Sequence, residues 1–575
     1  MKKFLPILNW LPTYSKAQLK GDIPAGLTVG ILLIPQGMAY AMIAGLPPEF
    51  GLYAALVPQI IYAILGTSRQ LSVGPVAMDS LLVASGLGAL KFSGIDDYIS
   101  AAIFLALLMG GIQLLLGLFR GGFLVNFLSK PVISGFTSAA ALIIGLSQLK
   151  HLLGVDIERS SRFHEILQNV WPKIPLLNTY SVLIGLAGIA VIMLFKKWRK
   201  SFPASLVVVV GSILLMYFSG LHSEGVQIVG EIPKGLPEVH LPSVSYDQIL
   251  DLLPIAVALS LVAFMEAISI GKSIEHQHED YQINPNQELR ALGLANIIGS
   301  IFSAYPTTGG FSRSAVNNQA GAKTGMASIF AAIVIALTLL FLTPLFYYLP
   351  KPILASVIMV AVFGLIDIKY PLQLLAKRKD EFLLLALTFL VTLFVGIIAG
   401  IIVGILFSLL LLVYRTAKPH VAELARIKGT EYFKNVDRFS EDVEVRNDIL
   451  IIRFDSQLYF GNTEFFKSIL AEKVTAKGDA LKAVILNAES MNYIDSTGAI
   501  VLINVIKELK RKDIQFYISG AIGPTRDIIY KSEIIKTLGE DYLFVKTHEA
   551  VRFIDTGEKD VEMQGRVARQ NKPEK

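Results

Sequence analysis

Charged residues in this chain are confined to short gaps between long apolar runs from about Asp22 to Val413. Apolar types make up 53% of the 575 residues and charged types only 17%, whereas soluble globular chains carry about 25% charged residues. Such a segment has too few polar groups to cover its surface in water. After Tyr414 the composition becomes an ordinary charged mixture. The shift predicts a large membrane domain followed by a small soluble domain.

The apolar runs predict the membrane-spanning segments. Hydrocarbon about 30 Å thick requires about 20 apolar residues in a helix. Several runs are shorter and are interrupted by Gly or Pro, as half-helices are. With one further half-span after Gly309 we expect about fourteen segments; the other candidates are Ile23–Ala41, Tyr53–Leu65, Met78–Leu90, Ile99–Leu118, Phe123–Leu146, Val182–Phe195, Leu206–Phe218, Leu252–Ile270, Ala291–Phe302, Gly325–Leu349, Ile353–Ile366, Phe382–Ala399 and Ile401–Val413.

The domain boundaries follow from these shifts in composition. After the membrane domain, short apolar strands alternate with helical stretches, which predicts an α/β domain. The predicted order is an interfacial segment 1–21, a transmembrane domain 22–416 with repeats of about 22–220 and 248–416, a linker 417–440, the α/β domain 441–557 and a disordered tail 558–575.

Basic residues indicate the orientation. With the N-terminus inside, the tight clusters Lys196–Lys200 and Lys377–Lys379 fall on the cytoplasmic side, as the positive-inside rule requires. We therefore expect a multi-pass protein of a bacterial-type inner (plasma) membrane with both termini in the cytoplasm. The net charge of +6 lies at the ends of apolar runs, a pattern that sets topology and does not indicate nucleic-acid binding. Cysteine is absent, which excludes disulfides and thiolate chemistry.

Two segments broken by Gly and Pro occupy corresponding places in the two halves. Leu71–Ser80 contains Pro75, and Ala304–Asn317 contains Pro306 and two glycines. Corresponding breaks in two halves mark the substrate site of an inverted-repeat transporter. A helix that begins after Pro75, with Val76 and Ala77 as its first residues, would face the second break; a simple kink in a packing helix is the alternative.

The second break carries the residues that predict anion binding. A helix that begins near Gly310 or Phe311 would direct free N–H groups and a positive dipole end into a cavity. Ser312 adds a hydroxyl donor and Arg313 a full positive charge. An arginine near the bilayer centre costs about 2.5–3.5 kcal/mol even on a lenient scale, so it is expected to be functional. The alternative is an arginine at a helix end or one paired only for assembly.

Glu266 is a carboxylate inside the apolar run Leu252–Ile270, with Ser269 on the same helix face. Burial disfavours its charged form, which suits a proton carrier. The alternative is that Glu266 is a static partner for Arg313. Glu266 can have both roles at once.

Gln36 and Tyr40 lie four residues apart in the first span, on one helix face, where both can hydrogen-bond a ligand. Hydrogen bonding between helices is an equally weighted alternative for Gln36. The run His276–Asp280 resembles a metal site, but it lies in a predicted loop without closing ligands, so we expect a solvated loop and no metal.

In the α/β domain, Asp495-Ser-Thr-Gly498 sits between a strand and a helix, where Asp or Ser is an ordinary N-cap. No nucleophile–base arrangement is found along the chain. We therefore expect no enzymatic activity and no cofactor.

Several of these motifs resemble the sulfate permease (SulP, solute carrier 26) family. Pro48-Glu-Phe-Gly-Leu-Tyr53-Ala-Ala, continuing to Arg69, is similar to the family signature, with Phe50 where that signature usually has Tyr. The segment from Pro306 to Arg313 also matches. Phe460-Gly-Asn462 and Asp495-Ser-Thr-Gly498 resemble those of a STAS domain.

The resemblance implies fourteen segments in two inverted repeats of seven, a core domain that moves against a gate domain, a cytoplasmic STAS domain and a homodimer. It implies that the anion lies between the half-helices of segments three and ten. Gln36 and Tyr40 match substrate-contacting positions, Ser312 and Arg313 match the Ser-Arg of the anion site, and Glu266 matches the position linked to proton coupling. In STAS relatives that control sigma factors, the serine at the position of Ser496 is phosphorylated. The resemblance therefore makes Ser496 a candidate regulatory phosphosite, with an ordinary N-cap as the alternative.

The leading hypothesis is an elevator-like, proton-coupled sulfate symporter embedded in membrane lipid. Bicarbonate or a dicarboxylate such as fumarate or succinate, sodium coupling, an anion exchanger and an anion channel remain alternatives. A signalling scaffold whose STAS domain binds an unidentified protein is the alternative from a different class.

Overall fold

The computed structural model describes residues 5–88, 90–123, 129–158, 160, 162–198, 204–242, 245–278 and 281–558. Within it the chain divides into two compact units, Met1–Ser408 and Leu409–Lys575. The tail expected at 558–575 lies outside the described residues except for Glu558.

The first unit is helical. Its helices are α1 Ile7–Trp10, α2 Lys16–Ala44, α3 Glu49–Ala54, α4 Val57–Leu65, α5 Ala77–Gly88, α6 Ile95–Leu118, α7 Lys130–Ser147, α8 Leu149–Leu153, α9 Phe163–Val170, α10 Thr179–Trp198, α11 Ala204–Ser219, α12 Tyr246–Glu275, α13 Pro285–Ile301, α14 Phe311–Gln319, α15 Met326–Leu337, α16 Lys351–Phe363, α17 Lys369–Lys377, α18 Lys379–Phe394 and α19 Ile397–Ala417, the last continuing into the second unit.

Six helical stretches of the described chain are long and apolar enough to cross a membrane, which makes this a multi-pass membrane protein. They are α2, α6, α7 with α8, α12, residues 326–346 and α19. In the fifth of these, α15 passes into a π-helical turn at Thr338–Leu342 and a 3₁₀ turn at Thr343–Phe346. The predicted span Phe382–Ala399 is divided, because α18 ends at Phe394 and α19 begins at Ile397.

The spanning and half-spanning helices fall into two groups with the same order. The first group is α2, the pair α3–α4, α5, α6, α7, α10 and α11; the second is α12, α13, α14, α15, α16, α18 and α19. The third member of each group follows a two-residue strand, β1 Val73–Gly74 or β2 Thr308–Gly309. These strands pair antiparallel, so the corresponding segments of the two groups run in opposite directions. The expected inverted-repeat fold is confirmed.

The family-like signature around Gly51 has a packing reason. A Cβ atom at Gly51 would collide with the carbonyl of Gly37, and one at Gly37 would lie 3.0 Å from the carbonyl oxygen of Gly51. Glycine at position 51 is therefore required for α3 to lie directly against α2, and a small residue is favoured at position 37. The contact is next to Gln36, so this signature determines how the first candidate ligand residue is held.

The second unit contains a seven-stranded mixed sheet of order β4-β3-β6-β7-β8-β9, with β5 paired to β3. Strands β6 to β9 are parallel, and β3 is antiparallel to β6. The strands are β3 Val421–Ile427, β4 Phe433–Asn435, β5 Val443–Glu444, β6 Ile449–Phe454, β7 Ala483–Asn487, β8 Gln515–Ser519 and β9 Leu543–Phe544; the helices are α20 Thr463–Lys477, α21 Ser496–Arg511, α22 Gly523–Lys531, α23 Ile534–Leu538 and α24 Thr547–Thr556.

Both faces of this sheet are covered, which explains why its central strands β6 and β7 are almost continuously apolar. In β6, Leu450 and Ile452 belong to the core shared with α20 and α21, whereas Ile449 and Ile451 belong to a second core with α24. The segment 417–440, expected to be a linker, instead carries strands β3 and β4. Its charged composition concealed them: Glu423 and Arg426 interrupt β3, and the three-residue β4 lies at the edge of the sheet.

Candidate functional site

The two predicted breaks meet in the structure. Val73 pairs with Gly309 and Gly74 with Thr308, and the amide of Gly310 donates a hydrogen bond of 2.9 Å to the carbonyl of Ser72. Extended backbone at membrane depth must satisfy its polar groups within the protein, and here each broken segment satisfies the other. The pairing places the beginnings of α5 and α14 side by side.

Both half-helices begin where the sequence predicted. Helix α5 begins at Ala77, directly after Val76, and both residues are buried. Helix α14 begins at Phe311 after an extended Gly310, and its first helical hydrogen bond runs from the amide of Ser314 to the carbonyl of Gly310. The amides that precede this bond have no helical acceptor, so the N-terminus of α14 retains free donors.

Arg313 lies between the two breaks. Its side chain is only 2% exposed, and its Nη1 donates a hydrogen bond of 2.8 Å to the carbonyl of Pro75. Within the described chain, its Nε and Nη2 have no hydrogen-bond partner. A buried guanidinium with unused donors is costly unless a ligand or water completes it. These two nitrogens therefore remain available to an anion.

Tyr40 and Glu266 complete the charged surroundings of Arg313. The charge of Arg313 acts on both groups, and Tyr40 is 6% exposed. Glu266 is half-buried, and its Oε2 has no hydrogen-bond partner among the residues described. The structure therefore brings these three predicted residues together, from α2, α12 and α14.

The other predicted residues differ in their exposure. Gln36 is half-buried one turn before Tyr40, and its Oε1 lacks a partner in the described part of the chain. Phe311 is 58% exposed and Ser312 is also exposed. Their side chains are consequently accessible at the beginning of α14, beside the buried Arg313.

Polar residues that the sequence did not single out fix the second break. Asn296 accepts hydrogen bonds from the amide (2.8 Å) and hydroxyl (3.1 Å) of Thr307 and donates one of 3.0 Å to its carbonyl. The hydroxyl of Thr308 donates to the carbonyl of Ala263, one turn before Glu266, over 2.6 Å. An isolated Asn in an apolar span was the available signal, since such residues are rarely left without a structural or functional role.

Two further groups at this site were also missed. Asp79 lies in the first turn of α5 and is 0% exposed. Tyr305 is likewise 0% exposed, and its hydroxyl lies 3.0 Å from that of Ser80. Both residues lie inside the two broken segments. There the sequence pattern points to the glycines, the prolines and Arg313 as the functional residues, so Asp79 and Tyr305 were not considered.

Two candidates lie away from this site. Ser496 is exposed at the first position of α21, whose cap is Asp495; the Asp495 carboxylate accepts from the amide of Gly498 over 2.7 Å. In the run His276–Asp280, the Nε2 of His278 lies 2.7 Å from Oδ1 of Asn318. Glu279 and Asp280 are outside the described residues.

Comparison with known families adds to this geometry. Residues 19–388 match the sulfate permease family, and residues 440–551 match the STAS domain. Sulfate transporter 4.1, chloroplastic, of Arabidopsis thaliana is 40% identical over 571 residues, covering 95% of this chain and 82% of the relative. High affinity sulfate transporter 2 of Stylosanthes hamata is 33% identical over 572 residues, covering 96% and 86%.

Solved structures share the architecture. The murine Slc26a9 anion transporter in its inward-facing state superposes with a TM-score of 0.88 at 26% identity, covering 96% of this chain and 94% of that one. The transmembrane domain of the cyanobacterial bicarbonate transporter BicA gives 0.59 at 22% identity over 69% and 98% of the chains, which is a likeness of fold. With its helical membrane domain and C-terminal STAS domain, this chain belongs to the sulfate permease family.

Proposed function

We propose that this protein is a secondary active anion transporter, a proton-coupled sulfate symporter that alternates by an elevator-like movement. The observation that carries the proposal is the buried Arg313, whose Nε and Nη2 are unpaired among the described groups beside the N-terminus of α14. A fixed positive charge and free amides together favour an oxyanion. The printed names of the plant relatives support sulfate as the substrate.

The proposed anion site combines donors from both repeats. Gln36 and Tyr40 supply side-chain donors from α2, whereas Ser312 and Arg313 supply them from α14. Backbone amides at Phe311, Val76 and Ala77 add the positive ends of two half-helices. Gly310 borders the site, but its own amide donates to the carbonyl of Ser72. Four acceptor oxygens allow sulfate to use several of these donors at once.

Glu266 is the proposed proton carrier. Arg313 acts on its charge, so a proton on this carboxylate and an anion on the arginine influence each other. When Glu266 is protonated, its negative charge no longer balances the positive charge of Arg313, so Arg313 attracts the anion more strongly. Anion binding must then favour protonation by the same factor, because binding linkage is reciprocal.

The proposed movement keeps the site intact. Because β1 and β2 pair with each other, the two half-helices are held by one another and are expected to travel together as part of a core domain. The basic clusters of the sequence support an inner-membrane orientation with cytoplasmic termini. Membership of the family supports a homodimer, which cross-linking in native membranes tests.

Purified protein in liposomes tests the coupling. We expect labelled sulfate to accumulate when the proton gradient is directed inward, and Glu266→Gln to remove the acceleration by that gradient. Asp251→Asn is the matched control, because Asp251 is an exposed carboxylate near the start of the same helix. Uptake driven by sodium alone would contradict proton coupling. A competition panel of bicarbonate, fumarate and succinate tests the choice of sulfate.

A further inference from the structure

Asp79, on α5, is a second buried carboxylate beside the candidate site. It is 0% exposed, and neither of its oxygens accepts a hydrogen bond from a residue that the structure describes. An acidic residue at the third position of a helix can accept from the backbone amide of the N-cap residue. Asp79 does not, so helix capping does not explain its place in α5.

Buried carboxylates with structural roles in this domain have different surroundings. Glu288 accepts from the hydroxyl of Tyr62 (2.6 Å) and from the amide (2.7 Å) and hydroxyl (2.6 Å) of Thr67. Asp22 accepts from the amides of Lys323 (2.6 Å) and Thr324 (3.0 Å). Unlike Glu288 and Asp22, Asp79 lacks the hydrogen-bond donors that an ionised buried carboxylate requires.

The charged neighbours of Asp79 make its ionised form still less favourable. Glu266 on α12 repels it, and Tyr305, in the segment before β2, also interacts with its charge. The charge of Arg313 on α14 acts on Glu266, Tyr40 and Tyr305.

Among the described residues, the other helices with the most contacts to α5 are α2, α6 and α7. Tyr40 is the titratable residue of α2 in this region, and α6 and α7 carry their titratable residues only in their first turns, at Asp96, Asp97, Tyr98 and Lys130.

Charge balance then links Asp79 to the anion. With both carboxylates ionised, the site would hold two negative charges and one arginine, and a dianion would be repelled. With both protonated, Arg313 and the half-helix dipoles remain, and the dianion is attracted.

We propose that Asp79 is a second proton-binding carboxylate of the anion site and takes up a proton, alongside Glu266, when the anion binds. The proton enters onto a carboxylate oxygen from the side of the membrane to which the site is open, and it leaves with the anion on the other side. This proposal rests on proton-coupled transport by the same site. Glu266 and Asp79 together then carry two protons with each anion, one more than Glu266 alone would carry.

The number of protons moved with each sulfate tests the proposal. The ratio is obtained in liposomes held at zero membrane voltage, from the proton gradient at which net sulfate flux reverses under a fixed sulfate gradient. We expect Asp79→Asn to keep proton-driven uptake but to move one proton fewer per sulfate. Ser80→Ala is the matched control, because it alters the next residue without removing a titratable group and should keep the wild-type ratio whatever its rate.

Each outcome of this experiment is decisive. An unchanged ratio in Asp79→Asn overturns the role of Asp79 while leaving proton coupling intact. Wild-type uptake that ignores the proton gradient overturns the proposed coupling itself. A sodium requirement that disappears in Asp79→Asn identifies Asp79 as a cation ligand and likewise overturns the proposal.

A direct measurement covers the case in which Asp79→Asn does not fold. Difference infrared spectroscopy records the carbonyl stretch of a protonated carboxyl group when sulfate is added to the full-length protein. In Glu266→Gln we expect a sulfate-induced carboxyl signal to persist, because Asp79 remains. Complete loss of that signal would contradict proton uptake by Asp79.

Discussion

Arg313 donates a hydrogen bond of 2.8 Å to the carbonyl of Pro75, across a sequence separation of 238 residues. The arginine of one broken segment is thus fixed by the break in the other. Its position depends on both repeats, while two of its nitrogens stay unused by the described chain.

Replacing Arg313 tests whether it holds the anion. A hydrogen bond that involves a charged group contributes about 1.5–3 kcal/mol, so we expect Arg313→Gln to lower kcat/KM for sulfate about 10- to 150-fold. Arg313→Lys retains the charge without the planar fork and should lose less. Initial uptake rates over a range of sulfate concentrations measure both variants. Equal kcat/KM in the wild type and Arg313→Gln would exclude a role in anion binding.

Gly310 controls the space around this guanidinium. A Cβ atom at Gly310 would lie 2.6 Å from Cζ of Arg313, so Gly310→Ala must displace the side chain at a cost of about 1–3 kcal/mol. We expect a rise in KM for sulfate. Gly111→Ala is the control, because nothing lies within 4 Å of a Cβ built at that helical glycine. Similar kinetics for the two variants would show that the position of Arg313 is not limiting.

Asn296 is expected to be essential to the stability of the second break. Asn296→Ala removes both acceptor contacts to Thr307, which is 0% exposed. Each buried group left unpaired costs about 1–3 kcal/mol. We predict a lower thermal unfolding temperature of the detergent-purified protein. The exposed Asn492 provides the control Asn492→Ala, and equal melting of the two variants would contradict the prediction.

The STAS domain is predicted to lose stability in acid through Asp448. Arg446 bonds Asp448 through Nε (2.9 Å) and Nη2 (2.6 Å), and this hydrogen bonding holds the pKa of Asp448 below its usual value. Because the folded pKa is the lower one, the stabilisation is present above the unfolded pKa of about 4. It is lost as pH falls through the folded pKa.

Calorimetry of the full chain checks this pH dependence. Asp448→Asn should lower the STAS transition near pH 7 and have a smaller effect near pH 3. The effect is expected to be within about 1 kcal/mol, because the pair is partly exposed. The exposed Asp479 provides the control Asp479→Asn. An equal effect of Asp448→Asn at both pH values would exclude this mechanism.

The sequence predicted the fold and much of the candidate site because those features depend on local pattern. Apolar runs marked the helices, and the alternation of short apolar strands with helical stretches marked the α/β domain, where the structure has parallel strands joined by helices. Arg313 and Glu266 were conspicuous because charge is rare in such runs. Their proximity is tertiary, however: the β1–β2 pairing brings Arg313 to the first break, and the hydrogen bond from Thr308 to Ala263 joins the second break to the helix of Glu266.

What the sequence did not reveal depends on partners distant along the chain. Asp79 was not singled out in its broken segment, and only the absence of donors around it in the described structure distinguishes it. Strand β3 was hidden because Glu423 and Arg426 interrupt its apolar residues, and β4 was hidden because edge strands are short and polar. The role of Asn296 became clear only from its hydrogen bonds to Thr307 in the structure.

The pairing of β1 with β2 also constrains how the protein is made. Residues 72–74 enter the membrane with the first half of the chain, yet their backbone partners at 308–310 are synthesised much later. Until then their N–H and C=O groups need water or a temporary partner, since unpaired backbone is costly in lipid. The first half is thus an incomplete folding intermediate, and a chain truncated before Thr308 should be a substrate for membrane quality control.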